Sequence, residues 1–149
     1  MEGGTMESYM NRISNTGIVP VVKILEKEDA YPLAKALLNG GINVIEVTYR
    51  SEHATSAIQT ISEQLPDMLV GAGTVLSVEQ AKEAVEAGAK FIITPGFNTK
   101  VVQWCLDHDV EVYPGVSTAS EVEMALSMGL TQLKFFPAES SGGAKKLKD

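Results

Sequence analysis

A lysine stands among large apolar residues in Leu133-Lys134-Phe135-Phe136-Pro137. Read as a strand, this run puts Gln132, Lys134 and Phe136 on one face and Leu133 and Phe135 on the other. An amine on an apolar inner face is costly to keep charged. The fraction left unprotonated can attack a carbonyl carbon and form a Schiff base. The bland alternative is a lysine that snorkels from an edge strand. A second run, Val44-Ile45-Glu46-Val47-Thr48-Tyr49-Arg50, places Val44, Glu46, Thr48 and Arg50 on one face and Ile45, Val47 and Tyr49 on the other. A carboxylate and a lysine facing one cavity form a proton-transfer pair, and Arg50 at the mouth offers a fork for a substrate carboxylate. A structural ion pair, Glu46 with Lys134 or Glu46 with Arg50, stays open beside that reading.

The elements that must hold these residues follow from an apolar pattern that switches period repeatedly. Strand-like runs at 18–24, 43–48, 68–74, 90–95, 110–114 and 132–137 alternate with helical stretches near 27–39, 51–64, 78–87, 99–107, 119–128 and 143–148. Gly40-Gly41 and Gly88 read as helix stops, and Ser77 as a helix cap. Residues 1–17 read as an N-terminal leader helix, and 18–149 as one domain. Strands alternating with helices give a parallel sheet with right-handed crossovers, either open and doubly wound or closed as a barrel. Near-equal units, and strand ends rich in polar, Gly and Pro residues, favour the α/β (β/α)8 TIM-barrel type. Such a barrel takes about 200 residues or more, so the expectation is an incomplete one, with about six of eight βα units.

Composition narrows the functions. The 149 residues carry 12 Lys+Arg against 19 Asp+Glu, a formal charge of −7, with 44% hydrophobic residues. That is globular composition without the basic stripe a nucleic-acid partner requires. No apolar run approaches the roughly 20 residues of a membrane helix, and the N-terminus lacks a secretory pattern. The single Cys105 can form no internal disulfide, which fits a cytoplasmic setting. It reads as a core residue. His53 and His108 lie apart with no carboxylate ligand pattern, so no metal site is expected.

Beyond these patterns, the chain resembles the 2-keto-3-deoxy-6-phosphogluconate (KDPG) aldolases, which also act as 4-hydroxy-2-oxoglutarate (KHG) aldolases. The resemblance rests on Val19-Pro20-Val21, Val44 to Arg50, Gly71-Ala72-Gly73-Thr74-Val75-Leu76, Ile93-Thr94-Pro95-Gly96, Tyr113-Pro114-Gly115-Val116-Ser117-Thr118 and Leu133 to Glu139. These motifs occur in family order over about residues 17–145. The resemblance implies a class I lyase of the Entner-Doudoroff pathway, needing no cofactor, that splits the keto-deoxy-phosphosugar into pyruvate and glyceraldehyde 3-phosphate. Lys134 matches the Schiff-base lysine and Glu46 the general acid/base. Arg50, Thr74, Pro95 and Phe136 match positions lining the pyruvate pocket. The resemblance also implies a homotrimer that takes a small keto acid as its partner molecule.

The related 2-keto-3-deoxy-6-phosphogalactonate aldolases share the lysine motif, and the Tyr49-Arg50 pair leans toward the gluconate enzyme. Two rival readings are a metal-dependent aldolase or epimerase, which the scarcity of His opposes, and a non-catalytic, self-associating barrel fragment. The family continues through two further strands with phosphate-holding Gly-rich loops. A C-terminal truncation is therefore expected, with weak binding of phosphorylated substrate, little turnover and a tendency to associate through open sheet edges.

Overall fold

The computed structural model describes residues 19–116 and 118–130, and traces 134–135 as a strand. The strands are β1 (Val21–Val22), β2 (Val44–Thr48), β3 (Leu69–Gly73), β4 (Phe91–Thr94), β5 (Glu111–Val116) and β6 (Lys134–Phe135). The helices are α1 (Ala30–Asn39), preceded by a 3-10 turn at Lys27–Asp29, α2 (Ala54–Gln64), α3 (Val78–Ala87), α4 (Thr99–Asp107) and α5 (Ala119–Ser127). All pairings are parallel and the strand order is β1-β2-β3-β4-β5-β6. Sequential order with a helix after each of β1 to β5 is the winding of a (β/α)8 barrel, since a doubly wound sheet reverses its strand order.

The two faces of the sheet differ as the alternation requires. Ile45 and Val47 of β2, Val70 and Ala72 of β3, Ile92 of β4 and Val112 of β5 pack with Ala30, Ala34, Ile58, Ile61, Ala81, Ala84, Val101 and Cys105 from the helices. Small residues on the helices let them sit close to the branched side chains of the strands. Each fully buried Val or Ile contributes on the order of 1.5–3 kcal/mol, so this layer holds the helices to the sheet. The opposite, inner face carries a smaller cluster of Val44, Leu69, Phe91 and Tyr113, flanked by Val19 and Ile93. Cys105 is fully buried and its thiol is pushed up to about 12 by desolvation, as suits a core residue.

Several element ends have clear local causes. Ser77 accepts from the Gln80 backbone N–H at 3.1 Å and opens α3; Asn98 accepts from Val101 N–H at 3.1 Å and opens α4. Gly88 closes α3 at φ +121, a left-handed conformation open to glycine. Four expected boundaries shift. β1 is two residues long where a run over 18–24 was expected; among the described residues it pairs on one side only, with β2. The first helix begins at Ala30, behind the 3-10 turn, and holds Pro32 in its first turn, where no intrahelical N–H is required. The second begins at Ala54 and not near Ser51, because Ser51 Oγ bonds Ile24 O at 2.5 Å and accepts from His53 N–H, which fixes a turn there. β5 continues through Pro114 to Val116, where an end at Pro114 was expected; β6 pairs from Gly115 onward. The expected leader helix over 1–17 and last helical stretch over 143–148 lie outside the described residues.

Candidate active site

Glu46 sits in mid-β2, 4% exposed, level with Val21 of β1 and Gly71 of β3. Its carboxylate does not stay on that row. It leans two residues along β3, toward the C-terminal end of the sheet, and lies over Gly73. Next to Gly73 in sequence, Thr74 adopts φ +53, a left-handed conformation costly for a β-branched residue. The Arg50 Nε donates to Thr74 Oγ1 at 3.3 Å. That bond joins the residue following β3 to the arginine following β2. It uses one of five guanidinium N–H groups, leaving the fork free to meet a carboxylate.

Behind Arg50, the neighbouring Tyr49 turns to the helix side, where its hydroxyl pairs with Thr55 Oγ1 at 2.7 Å; Thr55 donates onward to Glu83 at 3.2 Å. This chain ties the end of β2 to α2 and α3. Burial is the main cause that raises the Tyr49 hydroxyl above its ordinary value, with the Glu83 charge adding to it. Thr48 Oγ1 donates to Val22 O at 3.2 Å and fastens the same end of β2 to β1. Glu46 and Arg50 thus stand on a strand end anchored on both sides.

Pro95 follows β4 and lines a cleft of about 280 Å³ with Val75, Leu76, Phe97 and Asn98. Thr94 Oγ1 closes the turn onto Gly96 O at 2.6 Å, and Asn98 Nδ2 reaches Leu76 O at 3.1 Å. The Pro95 carbonyl packs against Gly115, a contact that leaves no room for a side chain at that position. Gly115 is in turn the register partner of Lys134. Of the residues singled out in the sequence, Arg50 and Thr74 are brought into contact, Glu46 lies over Gly73, the residue before Thr74, and Pro95 abuts the residue paired with Lys134. Lys134 is placed by its backbone alone, and Phe136 lies outside the described residues.

Two inner-face features were missed by the sequence reading. Gly73 was noted only as part of a motif, although a glycine inside a strand signals close approach. Glu111 opens β5 at 3% exposure, and the Tyr113 hydroxyl donates to its Oε1. The histidines have ordinary roles: His108 stacks on Trp104 at 4.4 Å and its Nδ1 meets Trp104 O at 2.8 Å, while His53 lies 3.6 Å from Glu52. Among the described residues, no group of three or more His, Cys, Asp or Glu could hold a metal, and no helix is long and apolar enough to cross a membrane.

A sequentially wound βα sheet, with a buried carboxylate and an arginine gathered at the C-terminal strand ends, defines a barrel of the kind that places its chemistry at that face. Residues 9–149 match the family described as "Aldolase: KDPG and KHG aldolase", and the chain belongs to that family. It is 48% identical over 138 residues to a 2-dehydro-3-deoxy-phosphogluconate aldolase of Treponema pallidum, covering 93% of this chain and 66% of the relative. Among solved structures, the KDPG aldolase of Legionella pneumophila with pyruvate captured as a covalent carbinolamine superposes with a TM-score of 0.84 at 43% identity, covering 87% of this chain and 63% of that one. The Zymomonas mobilis 2-keto-3-deoxy-6-phospho-gluconate aldolase gives 0.83 at 42%, with the same two coverages. The chain spans about two thirds of the length of these relatives.

Proposed function

We propose that this chain carries the imine-forming part of a class I aldolase that cleaves KDPG to pyruvate and glyceraldehyde 3-phosphate, and KHG to pyruvate and glyoxylate. The observation that carries this reading is the buried Glu46 carboxylate, aimed at the C-terminal end of the sheet beside the Arg50–Thr74 pair. The catalytic residues are Lys134 and Glu46; Arg50, Thr74, Pro95 and Phe136 bind the keto acid.

The Lys134 amine adds to the C2 carbonyl and loses water, giving a protonated imine. Glu46 accepts the C4 hydroxyl proton as the C3–C4 bond breaks, and the bond's electron pair flows to the imine nitrogen. The aldehyde departs and leaves an enamine. Glu46 returns its proton to C3, and water hydrolyses the imine to free pyruvate and Lys134. Arg50 holds the substrate carboxylate so that C2 stays within reach of the amine. The enzyme requires no metal or organic cofactor, works in the cytoplasm on the Entner-Doudoroff sugar acid, and assembles as a homotrimer, in keeping with its family. The gluconate epimer is preferred over the galactonate one.

The test is intact mass after incubation with pyruvate and borohydride, followed by peptide mapping. A single reduced pyruvyl adduct on Lys134, absent in Lys134→Met, is expected. Adducts at other lysines in the same yield, or none, overturn the assignment.

A further inference from the structure

The inner face of β3 carries two glycines in five residues, Gly71 and Gly73, which weakens a strand unless something else needs the space. Both spaces are filled from a neighbouring strand. Over Gly71 lies the Phe91 ring from β4, close enough that a Cβ would overlap it. Over Gly73 lies the end of the Glu46 side chain from β2. A Cβ there would overlap Oε2 and stand 2.6 Å from the carboxyl carbon and 2.8 Å from Cγ. Glu46 is level with Gly71, yet its carboxyl group rests on the next inner position along β3. The Phe91 ring occupies the near space and the bare Gly73 backbone provides the far one.

We propose that Gly73 is a positioning residue for the acid/base: its missing side chain is what lets the Glu46 carboxyl group lie over β3 at Gly73, two residues toward the C-terminal face from its own register row. This rests on the aldolase reading above. Alanine at 73 cannot be absorbed by backbone rotation, because Gly73 is paired to Thr48 within the sheet and Glu46 to Gly71. The carboxyl group must therefore swing away, by about 1 Å or more, for ordinary van der Waals contact to be restored. A displacement of about 1 Å at a reacting group costs on the order of 100-fold in rate.

The experiment measures Glu46-dependent exchange of the pyruvate methyl protons with deuterium, by NMR, in the parent, Glu46→Gln, Glu46→Asp, Gly73→Ala and Gly71→Ala, and in the last two each combined with Glu46→Asp. Gly73→Ala should lose about 100-fold in exchange rate. Adding Glu46→Asp, one methylene shorter, should recover at least about tenfold of that loss, although Glu46→Asp alone slows the parent. Gly71→Ala strains the same strand through Phe91 and should show no recovery with Glu46→Asp. Exchange in Gly73→Ala within about twofold of the parent, with Glu46→Gln slow, overturns this proposal alone. Exchange at the parent rate in Glu46→Gln overturns the acid/base assignment and this proposal together. In a chain that exchanges no pyruvate protons, thermal melting decides. Gly73→Ala should lower the midpoint by about 3 °C or more beyond its effect in a Glu46→Ala background, and equal shifts in both backgrounds overturn the proposal.

Discussion

Glu46 and Glu111 lie on one hydrogen-bonded row of the sheet, running from β2 through Gly71 and Phe91 to β5, and they are buried alike at 4% and 3% exposure. The side chains around them lean in opposite directions. The Glu46 carboxyl group runs toward the C-terminal strand ends, onto Gly73, the residue before the Thr74 that Arg50 bonds. Glu111 is the first residue of β5, and Tyr113 folds its hydroxyl back toward it, away from that end. No charged group pairs with Glu111 among the described residues; its Oε2 has no hydrogen-bond partner, and desolvation pushes its carboxyl up to about 8. A buried acid is not an active-site acid by virtue of burial. On the proposed aldolase reading, direction along the strand separates the two, because the C-terminal face of such a sheet carries the chemistry and the N-terminal face the stability.

The largest effect that could break this contrast is on activity. Glu46→Gln should slow pyruvate proton exchange by about 10²–10⁴-fold, the usual worth of a general acid/base, while Glu111→Gln should stay within about threefold of the parent. The measurement is the same NMR exchange on both variants. A Glu111→Gln loss as large as that of Glu46→Gln would erase the division between the two ends. Phe91 separates the two regions physically, over Gly71 on one side and with its centroid 6.0 Å from that of Tyr113 on the other. Phe91→Ala should cost about 3–5 kcal/mol in denaturant unfolding, since a fully buried ring leaves a cavity the glycine-lined face cannot fill. A cost under about 1 kcal/mol would mean that the inner cluster is not packed as described.

The division was legible in the sequence only in part. Alternation placed Val44, Glu46 and Thr48 on one face of β2 and Ile45, Val47 and Tyr49 on the other, and the inner and helix-facing clusters contain Val44 on one side and Ile45, Val47 and Tyr49 on the other. The spans of α3 and α4, and the Ser77 cap, follow from short-range signals that tertiary packing does not override. The rest depends on long-range geometry. Ser51 ends up in a turn because it meets Ile24 across strands, which no local pattern encodes. Glu111 follows the same alternation as Tyr113, but a charged residue at the start of a strand reads as solvent-facing, and only the closed packing of the inner face buries it. Gly73 carries meaning because of what lies over it, and that residue comes from a different strand.

The charge state of Glu111 sharpens the comparison through pH. Its folded value of about 8 is above the ordinary 4.5, so the folded chain holds a proton that the unfolded chain releases. The stability this contributes is fully present below about pH 4.5, declines between 4.5 and 8, and is gone above 8. The steepest decline is about 1.4 kcal/mol per pH unit. Glu111→Gln keeps the shape and a donor without a titrating proton. Urea unfolding at pH 5, 6, 7 and 8 should show the parent losing stability relative to Glu111→Gln across that range. Parallel curves would mean that Glu111 ionises freely and is not held by the inner face.

Tyr113→Phe tests the smallest part of the contrast, the single bond that ties the N-terminal acid to the inner cluster. The ring stays beside Phe91, so packing is conserved and the change isolates the hydroxyl. Its loss removes the donor to Glu111 Oε1 while Oε2 already has none, so a buried carboxyl group is left without either partner. That should cost about 1–3 kcal/mol near pH 5, where Glu111 is neutral. The loss should widen as pH rises through about 8 and above, where Glu111 of the parent ionises, because a hydrogen bond to a carboxylate is stronger than one to its acid, and removing the hydroxyl would push the carboxyl value higher still. The corresponding change at the other end, Tyr49→Phe, removes a hydroxyl that touches Thr55 and not an acid, and should show no such pH dependence. If the two tyrosine variants each lose the same stability at pH 9 as at pH 5, the hydroxyl at 113 serves packing alone, and Glu111 is held by its burial without help from Tyr113.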